Sequence, residues 1–215
     1  MKGRGFRRMD EITSAPGPKR VKSGNRQNTL ARIALTMLAE GGFEGLRVRD
    51  VANAAGINIA TLHYYFPTKE DLIYAVGEEI FQQFLSVTAL MTENSQVRPD
   101  RQLRQVFEDM QHQFDRVPDL FVALHELQLR AHRDETVRRI VQQVHGRWQA
   151  NMEGIYRAGV KQNIFRPDIE PSQAATALIA LLSGSSLQAV SKETTGDLAW
   201  AANQLVTSFL LPGQL

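Results

Sequence analysis

Between Arg47 and Leu72 the chain reads RVRDVANAAGINIATLHYYFPTKEDL. Its polar and aromatic side chains suit contact with base edges and phosphates better than bond-making chemistry. Val48, Val51, Ala52 and Ala55 fall at i, i+3, i+4 and i+7, the spacing of a short helix with one buried stripe. Gly56 follows where that helix needs a residue tolerant of left-handed backbone angles. Asn58 is a good N-cap for a second short helix, its side-chain oxygen available to the next amides. Leu62 and Phe66 share the inward face of that helix, and Ile57 packs where it begins. Ile59, Ala60, Thr61, His63, Tyr64 and Tyr65 are left outward. Two short helices at a tight turn, the second showing hydroxyl and ring surface, form the layout of a helix-turn-helix. In that motif the second helix enters the DNA major groove and the first crosses the backbone.

The following turn adds a phosphate site. Pro67 stops the reader helix, and Thr68 with Asp71 forms a capping-box pattern. Lys69 therefore lies in a first turn whose amides attract anions. Upstream, Leu30, Ile33, Ala34, Met37 and Leu38 keep helical spacing until Gly41-Gly42, and Phe43 and Leu46 cover the small core. Three such helices bury little alone, so the unit leans on the helix that starts near Lys69.

The run LAEGGFEGLRVRDVANAAGINIATLHYYFPTKEDLIYAV, within residues 26–76, resembles the N-terminal domain of the tetracycline-repressor (TetR) family of regulators. The resemblance covers about a quarter of the chain. It implies an all-α homodimer with an N-terminal three-helix DNA-binding domain and a C-terminal helical bundle for effector binding and dimerisation. Carried over by position, base contacts fall on Arg49, Ile59, Ala60 and His63, and phosphate contacts on Thr61, Tyr64, Tyr65 and Lys69. Three positions depart from the family's usual pattern. Arg47 stands where a Ser or Thr commonly caps the first short helix, so it is assigned to the DNA backbone instead. Ile59 replaces a frequent polar residue and suits a thymine methyl. His63 replaces a more usual tyrosine.

Charge divides the same way. Residues 1–72 hold twelve Lys/Arg against seven Asp/Glu, net +5, and the remainder holds thirteen against sixteen, net −3. The positive part is the part with the reader helix, as attachment to DNA requires. Residues 1–24 carry Lys2, Arg4, Arg7, Arg8, Lys19, Arg20 and Lys22 among glycines and prolines, without the apolar stretch of a secretory signal. They are expected to be a basic, flexible arm adding phosphate or minor-groove contacts.

The domain expectation is an arm over 1–24, a DNA-binding domain over 25–72, and an effector-binding and dimerisation domain over 73–215. The helical pattern continues beyond Val76. Expected helices run from Lys69 to about Met91, from Pro99 to Val117, from Pro118 to about Ala131, from Asp134 past Gly159, from Pro171 to Val190 and from Asp197 to Leu210. The last two are the dimer candidates, through Leu178, Leu181, Leu182, Gly184, Ser185 and Leu187, with Leu205 and Phe209. An apolar chamber between the middle helices draws on Phe84, Phe107, Met110, Phe114, Phe121, Trp148, Met152 and Tyr156. His125 and Gln128 would orient a polar group there. Ordinary core packing competes with the binding role at each of these positions.

The chain has no cysteine, which excludes disulfides, thiolate metal sites and cysteine nucleophiles. No nucleophile elbow, phosphate loop or His-Glu-x-x-His motif occurs. His112, His125, His132 and His145 are too scattered for a metal site, so neither a cofactor nor an enzyme is expected. No uninterrupted apolar run spans a bilayer, and a cytoplasmic location is expected. The expected partners are double-stranded operator DNA, a second copy of the chain and a small organic effector that releases the operator by moving the helix begun at Lys69. The alternatives are a regulator of the same fold switched by a protein partner or by no ligand, and, more remotely, a helical enzyme.

Overall fold

The computed structural model describes residues 19–92, 97–191 and 197–213. The basic residues from Lys2 to Arg8, and most of the stretch between the helices expected to end near Met91 and to begin at Pro99, lie outside the described residues. The order is α1 (Lys19–Gly45), α2 (Val48–Ala54), α3 (Ile59–Tyr65), α4 (Lys69–Thr92), α5 (Pro99–Arg116), α6 (Pro118–Ala131), α7 (Glu135–Lys161), α8 (Pro171–Val190) and α9 (Leu198–Phe209). Among the described residues the only extended pairing is an isolated bridge between Phe165 and Leu210. Helix α1 opens at Lys19, inside the segment expected to be an arm.

Helix starts follow the local chemistry. Pro99, Pro118 and Pro171 occupy first turns, where a missing N–H costs nothing. The carboxylates of Asp134, Glu170 and Asp197 accept the first free amides of α7, α8 and α9. Gly42 has φ 65° and breaks α1 into a long helix and a short turn.

One continuous apolar core runs from head to body. In the head, Leu30, Ala34 and Leu38 of α1 meet Leu46, Val51, Leu62 and Phe66, and Leu72, Ile73 and Val76 of α4 close the unit. Helix α4 thus belongs to both parts, as the small size of the head demands. Helix α6 makes the broadest contact with α1. There Arg130 lies over the Phe43 ring, 4.3 Å from its centroid, and bonds Glu44 at 2.9 Å.

In the body, α7 packs against α4, α6 and α8, and α9 packs on α5. Phe165 seats its ring over Gly159, where a Cβ would fall 2.0 Å from that ring. It also meets Tyr156 and Phe209. Helix α8 is long and apolar enough, by length and composition, to cross a membrane. Here one side of it is core, with Leu178 and Leu182 fully buried, and the other carries Leu181 and Leu187 outward.

Candidate nucleic-acid interface

The turn between α2 and α3 is built from backbone bonds. Gly56 takes φ 65°, and the amide of Ile57 donates to the Ala52 carbonyl at 3.0 Å. Asn58 caps α3, its Oδ1 accepting from the Thr61 amide at 2.7 Å and from the Thr61 hydroxyl at 2.8 Å. Leu62 is fully buried and Phe66 is 5% exposed. Burying these two side chains contributes roughly 1.5–3 kcal/mol each and fixes which side of α3 faces out.

The outward side consists of Ile59, Ala60, His63 and Tyr64. They are spaced i, i+1, i+4 and i+5, so they cover one face of the short helix. Ile59 is 43% and Tyr64 79% exposed. Arg47 and Arg49 are also exposed at the start of α2. Arg47 occupies the N-cap position with no side-chain cap bond, which leaves its guanidinium for another partner.

Three expected contacts are placed differently from the simple outward picture. Thr61 is half-buried, and its hydroxyl proton is given to Asn58. Tyr65 is half-buried, edge-on to Tyr64 with ring centroids 5.2 Å apart, and it packs on the core. Lys69 is half-buried, with Nζ 4.7 Å from the Phe43 centroid. The capping box beneath it is complete. The Thr68 amide donates to Asp71 Oδ2 at 3.0 Å, and the Asp71 amide donates to Thr68 Oγ1 at 3.1 Å.

The residues expected around an effector divide into two groups. Phe84 stacks on Trp148 at 5.5 Å and 13° and leans on Phe121, which meets Phe114 edge-on at 4.6 Å. An apolar cavity of about 40 Å³ beside the stacked pair is lined by Gly77, Ile80, Leu124, Gln128 and Val144, among others. Met110 borders a smaller cavity that also touches Phe84 and Trp148. Tyr156 lies apart from this group, with Phe165 and Phe209. Phe107 and Met152 are fully buried and line neither cavity. His125 has both ring nitrogens engaged, at 3.0 Å from Gln128 Oε1 and 3.0 Å from Ser186 Oγ.

Sequence reasoning missed Asp109 and Gln113, which border the smaller cavity. The available signal was that Gln102, Val106, Asp109 and Gln113 keep helical spacing beside the apolar stripe. On the α8–α9 side, Leu178 and Leu182 are buried within the chain and Gly184 is exposed. Ser185, Leu205 and Phe209 are half-buried. Leu181 (38%), Leu187 (55%) and the unanticipated Trp200 (64%) are the exposed apolar groups. Among the described residues no three acidic or histidine side chains group as a metal site would require.

Comparison with known proteins assigns both parts. Residues 32–76 match the family described as bacterial regulatory proteins, tetR family, and residues 99–210 match the BetI-type transcriptional repressor C-terminal domain. The transcriptional regulator CymR of Pseudomonas putida is 31% identical over 135 residues, 58% of this chain and 62% of its own length. The chain thus spans less than two thirds of that relative. A TetR-family regulator from Rhodococcus sp. superposes with a TM-score of 0.75 at 21% identity, over 86% of this chain and 96% of that one. A regulator from Saccharomonospora viridis, solved in complex with choline, superposes with a TM-score of 0.70 at 21% identity, over 88% of this chain and all of that one.

Proposed function

The chain belongs to the TetR family of DNA-binding transcriptional regulators, and on that premise we propose that it represses its target as a homodimer until a small organic effector enters the body. The observation that carries the reading is the exposed face Ile59, Ala60, His63 and Tyr64, held outward by the buried Leu62 and Phe66. Arg49, Ile59, Ala60 and His63 are assigned to bases, and Arg47, Thr61, Tyr64, Tyr65 and Lys69 to the DNA backbone. Thr61 reaches a phosphate by turning its hydroxyl away from Asn58. A role on operator DNA supports a cytoplasmic location.

The division of labour follows: residues 25–72 read DNA, and residues 73–215 hold the effector and the second copy. The cavity beside Phe84 and Trp148 lies between α4, α6 and α7. Two of those helices reach the head directly. Helix α4 carries Lys69 at its base, and α6 grips Phe43 and Glu44 through Arg130. An effector that spreads these helices changes the separation of the two heads. That the Saccharomonospora viridis regulator was solved with choline supports a body of this fold as host to a small organic molecule.

Fluorescence anisotropy on DNA from upstream of the protein's own gene, against scrambled DNA over a salt series, tests the reading. Sequence-dependent binding is expected, with a salt slope set by the phosphates contacted. Salt-sensitive binding without sequence preference would overturn it. An effector, once found, must bind less tightly in the presence of operator by the factor with which it weakens operator binding.

A further inference from the structure

On α5, Asp109 and Gln113 stand four residues apart, one above the other on the same face. Each has one polar atom satisfied. Gln105 Nε2 donates to Asp109 Oδ1 at 2.9 Å, and Gln113 Nε2 donates to the Gln83 carbonyl at 2.8 Å. The remaining atoms, Asp109 Oδ2 and Gln113 Oε1, are buried and have no hydrogen-bond partner among the described residues. Both residues border the same cavity of about 10 Å³, together with Phe84, Val106, Met110 and Trp148. Native proteins rarely leave such atoms unmet. Here the two unmet atoms are both acceptors, and one belongs to a carboxylate.

The surroundings define what would meet them. No lysine or arginine pairs with Asp109 among the described residues; its nearest charged neighbours on α5 are Glu108 and His112. Burial, the largest influence, and the charge of Glu108 both push the carboxyl upward. Two buried acceptor atoms side by side, with no donor to either among the described residues, call for a ligand that brings N–H groups. The volume suits a single water or a single ammonium nitrogen, and only the ammonium neutralises the carboxylate while donating to both acceptors. The stacked aromatic pair Phe84 and Trp148 forms part of the cavity wall. The same two residues also border the apolar cavity of about 40 Å³, with Ile80, Leu124, Leu127 and Val144.

We propose that these two cavities are the ends of one site for a protonated amine with an apolar tail. The ammonium donates N–H bonds to Asp109 Oδ2 and Gln113 Oε1, and the tail takes the apolar cavity once the Phe84 and Trp148 rings part. The proposal rests on the reading of the body as an effector chamber and names the chemistry of its ligand. It also supplies the mechanical step, because Phe84 belongs to α4, the helix whose first turn supports the head. Quaternary ammonium ions have no N–H to offer these acceptors, so the site discriminates against them.

The test is isothermal titration calorimetry on the full chain with three probes of one shape: 4-phenylbutylammonium, 4-phenylbutanol and (4-phenylbutyl)trimethylammonium. The primary amine is expected to bind at least about tenfold more tightly than either of the others, as a charge-assisted bond with two acceptors implies. Asp109→Asn should remove that advantage and bring the amine's affinity to that of the alcohol on the same variant. The proposal is overturned if the alcohol or the quaternary ion matches the amine on the wild-type protein, if Asp109→Asn keeps the amine's advantage, or if none of the three binds. The wild-type comparison stands whatever the variant does to folding. Operator release, read separately by anisotropy with the same compounds, distinguishes the two readings. Release by the alcohol as readily as by the amine would leave the effector chamber in place and remove the amine. Tight amine binding with no release would keep the site and remove its regulatory role.

Discussion

Leu62 and Tyr64 stand two residues apart on α3 and have opposite fates. Leu62 is fully buried against the head core, and Tyr64 is 79% exposed with only Tyr65 edge-on beside it. Leu62→Ala should cost about 2–5 kcal/mol of stability through the cavity it leaves. Tyr64→Ala should change stability by less than about 0.5 kcal/mol, as surface substitutions do. Tyr64→Ala is nevertheless expected to weaken operator binding about tenfold, roughly the worth of a lost phosphate or base contact. Thermal melts and anisotropy on the two variants separate these effects, and unchanged operator affinity in Tyr64→Ala would remove this face as the reader. The outward positions Ile59, Ala60, His63 and Tyr64 were legible because two inward anchors fix the phase of a helix. Thr61 and Tyr65 were not, since their exposure depends on side-chain partners that periodicity does not encode. Lys69 is a similar case: its ammonium lies over Phe43, on a different helix turn.

Helix boundaries were the most legible layer, because capping chemistry is local. Asn58, Thr68, Asp134 and Asp197 each accept amides at the helix start that their residue type promised. Contacts far apart in sequence were not legible, and the seating of α6 on Phe43 and Glu44 of α1 is the chief example. Asp109 and Gln113 were hidden for another reason: polar side chains on an inward face read as a solvated stripe. The caps have a consequence in acid. Bonds from the Val137 amide, then Arg130 and the Thr136 amide, hold Asp134 below its ordinary 3.8. The Gln173 amide and the Ser172 hydroxyl hold Glu170 below 4.5. A depressed carboxylate stabilises the fold above its unfolded value, and that stability is lost as pH falls through the folded value. Asp109 has the opposite sign: burial raises it above 3.8, so its cost is absent in acid and grows as pH rises past that value. Asp134→Asn keeps an N-cap acceptor but cannot titrate. Its melting temperature should therefore fall less between about pH 5 and pH 2.5 than that of the wild type. Parallel melting curves across this range would show that the α7 cap carries none of the acid sensitivity.

At the scale of the whole molecule, the charge split of +5 over residues 1–72 and −3 over the rest sets head against body. One head contacts only one half-site, and the spacing of successive major grooves, about 34–36 Å, asks for a second. On the homodimer reading proposed above, the second copy docks on the α8–α9 side. Leu181, Leu187 and Trp200 lie exposed there beside the half-buried Leu205 and Phe209, and no described residue covers them. Exposed Leu129, by contrast, lies on α6 beside the head. Placing charge at Leu187→Glu and Trp200→Glu together should leave the fold of one chain intact, since neither side chain is part of its core. It should leave a particle of 24.1 kDa in light scattering, where the wild type is expected at twice that mass. Operator affinity should then fall about a hundredfold or more, because two linked heads gain that much from effective concentration. A double variant that remains a dimer would move the interface off this side. A monomer that kept full operator affinity would mean that one head suffices, and the body's control over head spacing would then have nothing to act on.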